Sequence, residues 1–137
     1  MVDANVLLYA VDSTAVHHES AYAWLDTSLA EAVGLAWIAL LAFIRISTNP
    51  TLLQAPMSVD DAVAQLDSWL GAPAAVVAPP TARHAGVLAG LLREAGAAGN
   101  LTTDAHLAAI AIEHGAEIVS YDRNFARFPG VRHRLPR

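Results

Sequence analysis

Short apolar runs alternate with stretches of helical periodicity along the whole chain, and few folds accommodate that alternation. Val2–Val11 is rich in Val and Leu and reads as a buried first strand and its exit. His17–Leu29 spaces Tyr22, Trp24, Leu25 and Leu29 among polar residues, the pattern of an amphipathic helix. Val33–Trp37 predicts a second strand. The helix after it ends at Thr48-Asn49-Pro50, because the residue before a proline avoids the α region. Ser58 predicts the N-cap of a helix through Leu70, with Asp60 and Asp61 in a first turn whose dipole favours acids. Ala74–Ala78 predicts a third strand, and Thr81–Ala95 a helix closed by Gly96. Thr102 or Thr103 then caps a helix over Asp104–His114, stopped by Gly115 at the favoured position just past its end. Glu117–Tyr121 reads as a strand, Asp122-Arg123-Asn124 as a turn, and the vicinity of Val131 as a last short strand. Such alternation predicts an α/β sandwich around a mostly parallel sheet, a class whose sites form at the carboxyl ends of strands.

Composition narrows what such a fold can do here. The chain has 137 residues with no repeat or linker, which predicts one domain over 1–137. Hydrophobic residues make up 55% and charged ones 15%, so a folded core is expected rather than disorder. No apolar run nears the roughly 20 residues that span a bilayer, and no basic, then apolar N-terminal leader is present. Cysteine is absent, which removes disulfides, zinc–thiolate sites and thiol nucleophiles. The expected home is the cytoplasm, with no membrane partner. The net charge of −5 argues against gripping nucleic acid by bulk positive potential. Every basic side chain is nonetheless Arg, and Arg123, Arg127, Arg132, Arg134 and Arg137 crowd the last fifteen residues. A solvated tail and a local phosphate-binding patch both fit that cluster.

Three aspartates fall where the fold would place a site. Asp3 interrupts the first apolar run, Asp122 directly follows Ile118-Val119-Ser120-Tyr121, and Asp104 opens an almost wholly apolar helix. Each has an ordinary alternative: a local cap for Asp3, a first-turn helix acid for Asp104, a turn residue for Asp122. Together they are better explained by one site, since buried carboxylates are costly without a cation and the chain has no Lys. Converging hard oxygen donors without soft ones favour Mg²⁺ or Mn²⁺. A receiver-type phosphoacceptor and a phosphatase of the haloacid-dehalogenase kind also gather aspartates on parallel sheets. Both need a lysine, and the latter needs a second aspartate where Asn5 stands.

Three segments carry a family resemblance: Asp3-Ala4-Asn5-Val6-Leu7-Leu8-Tyr9-Ala10, then Leu101 to Ala111 with Thr102-Thr103-Asp104-Ala105-His106, then Ile118 to Phe125 with Phe128-Pro129 beyond. In this order they resemble a PIN domain, and more narrowly the VapC toxins of bacterial toxin–antitoxin pairs. The resemblance implies a PIN-like three-layer sandwich whose mostly parallel sheet of about five strands is flanked by helices. It also implies Mg²⁺-dependent endoribonuclease activity, with Mn²⁺ able to substitute, a homodimer, and a cognate VapB-like antitoxin. On that pattern Asp3, Asp104 and Asp122 are catalytic metal ligands. Asn5, Ser120 and Asn124 stand behind them, and Arg45, Arg123 and Arg127 are candidates for RNA phosphate contacts. The family usually places a Glu on the helix after the second strand, but here Ala42 holds that position and no Glu lies between Trp37 and Pro50. One firmly held metal is therefore expected. The same departure keeps a second reading open, a non-catalytic PIN-like binding module. An antitoxin would place an Arg among the acids and an apolar helix over the first helices, around Tyr22, Leu25 and Leu41.

Weaker signals complete the reading. His17-His18-Glu19 could hold a metal, but adjacent helical residues point apart, so a solvated first turn is expected. Trp24 and Trp69 fit amphipathic patterns and are expected in packing, whereas Trp37, at a strand end, could stack on a base. His106 could approach the acids.

Overall fold

A computed structural model describes residues 1–137. Its centre is two parallel ladders, β1 (Val33–Leu35) with β2 (Ala75–Val77), and β3 (Ile118–Val119) with β4 (His133–Arg134). The N-terminal segment joins them. Val2 bridges in parallel to Val119, and its amide donates to the Gly34 carbonyl at 3.0 Å. The amides of Asp3 and Val119 donate to the carbonyls of Val119 and Met1 at 3.1 and 2.9 Å. The spatial order is thus β2, β1, the Val2 segment, β3, β4. The chain builds outward on one side of Val2 and then crosses to the other, so the order reverses between Val2 and β3, the place where such sheets open a crevice.

Successive side chains of an extended segment face opposite ways, and here each face meets its own helical layer. Val2, Val33, Leu35 and Val119 enter a core with α1 (Ala4–Val11), α2 (His18–Glu31), α3 (Trp37–Ser47) and α4 (Val59–Leu70). Met1 and Ile118 enter a second core with α5 (His84–Ala95), α6 (Thr102–Glu113) and Phe125 and Phe128. This is the expected three-layer sandwich, with a sheet of very short strands.

The largest departure from the sequence reading lies at the start. Val2–Val11 is not a strand: only Val2 pairs, and α1 begins at Ala4. The Asp3 side chain accepts from the Ala4 amide and starts the helix. The buried residues Ala4, Val6, Leu7 and Ala10 recur at spacings of three and four, a helical stripe hidden in an all-apolar run. Asp3 is therefore the cap between strand and helix rather than a strand residue.

Smaller departures have local causes. Neither Thr102 nor Thr103 caps α6; a 3₁₀ turn over Gly99–Leu101 runs straight into Thr102, and Leu101 holds the cap position without a side-chain bond. Helix α5 starts at His84 instead of Thr81, because Thr81 turns its amide and hydroxyl to Glu113. The turn at Asp122 extends into a 3₁₀ helix, Arg123–Arg127, and the last strand lies two residues beyond Val131. Ser58 caps α4 as expected, and Gly96 and Gly115 end α5 and α6 with φ of 68° and 63°, which other residues rarely adopt.

Phe43 joins α3 to α4, fully buried with its ring edge-on to Trp69 at 4.7 Å between centroids. Phe43→Ala should cost about 3–5 kcal/mol in urea denaturation, through lost transfer energy and the cavity left behind. Val16, 96% exposed, serves as control: Val16→Ala should stay within about 0.5 kcal/mol of the parent.

Candidate active site

The site is built where Val2 and β3 end side by side. Asp3 Oδ1 accepts from the Ala4 amide at 2.7 Å, while Oδ2 accepts from Asn5 Nδ2 at 2.7 Å and Ser120 Oγ at 2.6 Å. Asn5, on the first turn of α1, also donates Nδ2 to Ser120 Oγ at 2.9 Å and accepts the Tyr121 amide on Oδ1 at 3.2 Å. Ser120 is fully buried, and its Oγ accepts the Asp122 amide at 2.9 Å. A hydroxyl has one proton to give and two lone pairs, so Ser120 is saturated. It cannot serve as a nucleophile and instead fixes Asp3 and the chain leading into Asp122. Asp122 caps the 3₁₀ helix by accepting the Asn124 amide at 2.8 Å, with Asn124 Nδ2 a longer 3.4 Å from its other oxygen. The capping and turn roles weighed for Asp3 and Asp122 are therefore real and coexist with their shared position.

Asp104 stands in the first turn of α6, near enough to Asp122 and Asp3 for their charges to act on it. Its carboxyl is pushed up to about 6, first by burial and then by the charges of Asp122 and Asp3. Asp3 is also raised, by burial and by Asp122, against the hydrogen bonds from Ser120 and Ala4 and the attraction of His133. The three acids thus share one field. Neither ion pair in the chain relieves it, since these join His84 to Glu113 and Arg134 to Glu117. As they stand, no three His, Asp or Glu side chains are grouped closely enough to enclose an ion. The donor set still fits a hard divalent cation: three carboxylates, no thiolate, and mutual repulsion that only positive charge would remove.

The remaining candidates divide. Arg123 and Arg127 flank the acids on the exposed 3₁₀ helix, and Arg45 is exposed in the last turn of α3; none forms an ion pair. Arg132 donates to the Gly115 carbonyl, and Arg134 pairs with Glu117 above the Trp24 ring, so two arginines of the basic tail are structural. Ala42 is half-buried on α3 and offers no donor. Trp24 and Trp69 are buried as expected, while Trp37 is the exposed first residue of α3 rather than a strand end. His106 bonds to His84 Nε2 at 2.8 Å, and His84 in turn to Glu113 at 2.6 Å, a chain toward α5 that the sequence did not suggest. Burial pushes Glu113 up, but bonds from Thr81 and His84 outweigh it and hold the carboxyl low. In the His17-His18-Glu19 segment, His18 bonds the Tyr9 carbonyl and His17 stacks on Tyr121, so the two rings part as expected.

Comparison with known proteins agrees with this fold. The family model described as PIN domain matches residues 1–131. Ribonuclease VapC37 of Mycobacterium tuberculosis is 52% identical over 134 residues, covering 96% of this chain and 93% of that protein. Ribonuclease VapC33 of the same species is 40% identical, covering 95% and 92%. Among solved structures, VapBC2 from Rickettsia felis bound to a promoter DNA fragment superposes with a TM-score of 0.69 at 20% identity, over 98% of this chain and 96% of that one. FitAB bound to an IR36 DNA fragment gives 0.69 at 21%, over 98% and 93%. At such identities the two structures speak for the fold alone. The chain belongs to the PIN domain family, and its relatives of high identity there are VapC ribonucleases.

Proposed function

We propose that this chain is a Mg²⁺-dependent endoribonuclease and the toxin of a bacterial toxin–antitoxin pair. The observation that supports the chemistry is the pairing of Val2 with Val119, which sets Asp3 and Asp122 on either side of the Ser120 hydroxyl, with the Asp104 carboxyl raised first by burial and then by their charges. The ribonuclease names of the VapC relatives supply the reaction class. The non-catalytic alternative has less support, because all three acids are present and electrostatically coupled. Asp3, Asp104 and Asp122 would hold the ion, and with no carboxylate at Ala42 the set suits one firmly held metal. Mg²⁺ bound there would neutralise charge on a phosphodiester and acidify an attacking water, and Mn²⁺ would do the same.

The chain's own residues do the positioning. Ser120 and Asn5 hold Asp3 Oδ2 by two short bonds, and Ser120 sets the backbone at Asp122. The exposed Arg123 and Arg127, on the 3₁₀ helix that Asp122 caps, would meet RNA phosphates, as would the exposed Arg45 on α3. Specificity would rest on RNA shape and unpaired loops rather than on groove reading. We assign the protein to the cytoplasm as a homodimer; no helix is long and apolar enough to cross a membrane. The partner would be a VapB-like antitoxin, consistent with the VapBC neighbour. Tyr22 and Leu25 line a groove with Leu29, Met57 and Trp69 that suits an apolar helix, whereas Leu41 lies exposed outside it.

Asp3→Asn, Asp104→Asn and Asp122→Asn should each reduce RNA cleavage by at least about a hundredfold, with losses far from additive in combination. Stability should move the opposite way for Asp104. Its folded value of about 6 exceeds the unfolded 3.8, so the native state binds the extra proton, and stability falls as pH rises through that window. The two-unit gap, discounted for the solvent that still reaches the carboxyl, comes to about 1 kcal/mol at neutral pH. Metal-free Asp104→Asn should therefore melt a few degrees higher than the parent at about pH 7 and equally at about pH 4. A lower melting temperature at neutral pH would mean that neither burial nor its acidic neighbours disfavour the ionised Asp104 carboxylate.

An antitoxin Arg placed among the acids would exclude metal, and such coupling is reciprocal. Calorimetric titration of toxin and antitoxin across a Mg²⁺ series at constant ionic strength should show affinity falling as Mg²⁺ rises. An affinity independent of Mg²⁺ would place the inhibitor outside the acid cluster.

A further inference from the structure

One group of side chains beside the acids has no part in holding them. Tyr121 lies between Ser120 and Asp122, and its amide is fixed by Asn5, so its backbone belongs to the acid network. Its ring meets His17 in a parallel stack, 4.3 Å between centroids and 10° between planes. Tyr9, one helical turn past Asn5 on α1, closes the group edge-on to Tyr121 at 5.3 Å and tilted to His17 at 5.6 Å. The Tyr121 hydroxyl bonds Ser20 Oγ at 2.7 Å, which ties the stack to α2. Tyr9 and Tyr121 are half-buried, but His17 is exposed. Tyr121 stacks on its imidazole, Tyr9 tilts against it, and neither ring nitrogen bonds within the chain.

A histidine at a helix start is ordinarily mobile and solvated. Here its ring packs on Tyr9 of α1 and on Tyr121 just past β3, and Tyr121 itself adjoins Asp122. We propose that the Tyr9–His17–Tyr121 cluster seats an unpaired nucleobase of the RNA next to the cut phosphodiester, with the exposed His17 ring as its stacking surface. The inference rests on the ribonuclease reading and goes beyond it by naming where the substrate is gripped. Its chemistry is suited to single-stranded RNA. Any base offers a π-face, so a platform of this kind binds without a sequence code, and the free imidazole nitrogens add polar contacts at the base edge or a phosphate. The acids repel the RNA backbone until a cation is bound, so groups beside them add to the grip, and this cluster adjoins Asp122 through Tyr121. Tyr121 and Tyr9 are positioning residues; His17 is the one that touches the base.

The test uses fluorescein-labelled mixed-sequence RNA of about 20 nucleotides, cleaved in Mg²⁺ by the parent, His17→Ala and His17→Trp. The cut site found with the parent is then flanked, one position at a time, by abasic nucleotides. His17→Ala should raise KM about tenfold with kcat changed less than about twofold, the size of one lost base–aromatic stack, and His17→Trp should restore KM. One abasic position should cost the parent about tenfold in KM and cost His17→Ala nothing further, because both changes remove the same contact. A merely structural cluster would lower the melting temperature of His17→Ala and leave KM unchanged, and that result overturns the proposal while the ribonuclease reading stands. Equal abasic penalties in parent and His17→Ala overturn it as well. A folded parent that cuts no RNA in Mg²⁺ removes the ribonuclease reading itself.

Discussion

The carboxyl edge of the sheet depends on one buried hydroxyl. Ser120 gives its proton to Asp3, takes one hydrogen bond from Asn5 and another from the Asp122 amide, and so ties segments 115 or more residues apart in sequence. Alanine at this buried position would remove a hydrogen bond from the Asp122 amide and another from an Asp3 oxygen. The bond is possible because Val2 and Val119 pair in parallel, which brings the first and fourth strand segments into register at their ends. The reversal of strand order at that seam is what leaves room for a substrate above it.

The same seam carries an electrostatic debt. Three carboxylates enter one field, two of them raised by burial and by the charge of Asp122, and the arginines nearby are exposed or engaged elsewhere. Sites of this kind are held against their own repulsion by the surrounding fold. Here the holding elements are the two cores on either face of the sheet, which fix α1 and α6, each of which begins with or near one of the acids. A cation would turn the debt into binding energy, which is why the stability of the free protein and its activity are expected to respond oppositely to loss of Asp104.

Much of this was legible in the residues because the signals were chemical. Ser58, Gly96 and Gly115 mark helix ends through a hydroxyl acceptor and two positive φ angles, and all three do so in the structure. The three aspartates stood out because charge in an apolar setting demands a reason. What failed was periodicity. The strands are two or three residues long, too short for alternation to show, and α1 is apolar on nearly every side, so a helix and a buried strand read alike. The stack of His17 on Tyr121 joins residues more than a hundred positions apart, and no local pattern announces it. The Tyr9 position, one turn beyond Asn5, was the single available hint. The arginine tail shows the limit of composition: of its members, Arg132 and Arg134 serve the fold and Arg123 and Arg127 remain free for a ligand.

The most direct test is to locate a divalent ion by anomalous diffraction from crystals equilibrated with Mn²⁺. The expected result is one strong peak contacted by carboxylate oxygens of Asp3, Asp104 and Asp122, lost in Asp104→Asn crystals. A cluster that stays empty at a Mn²⁺ concentration supporting full RNA cleavage, or an ion held by other side chains, would contradict it.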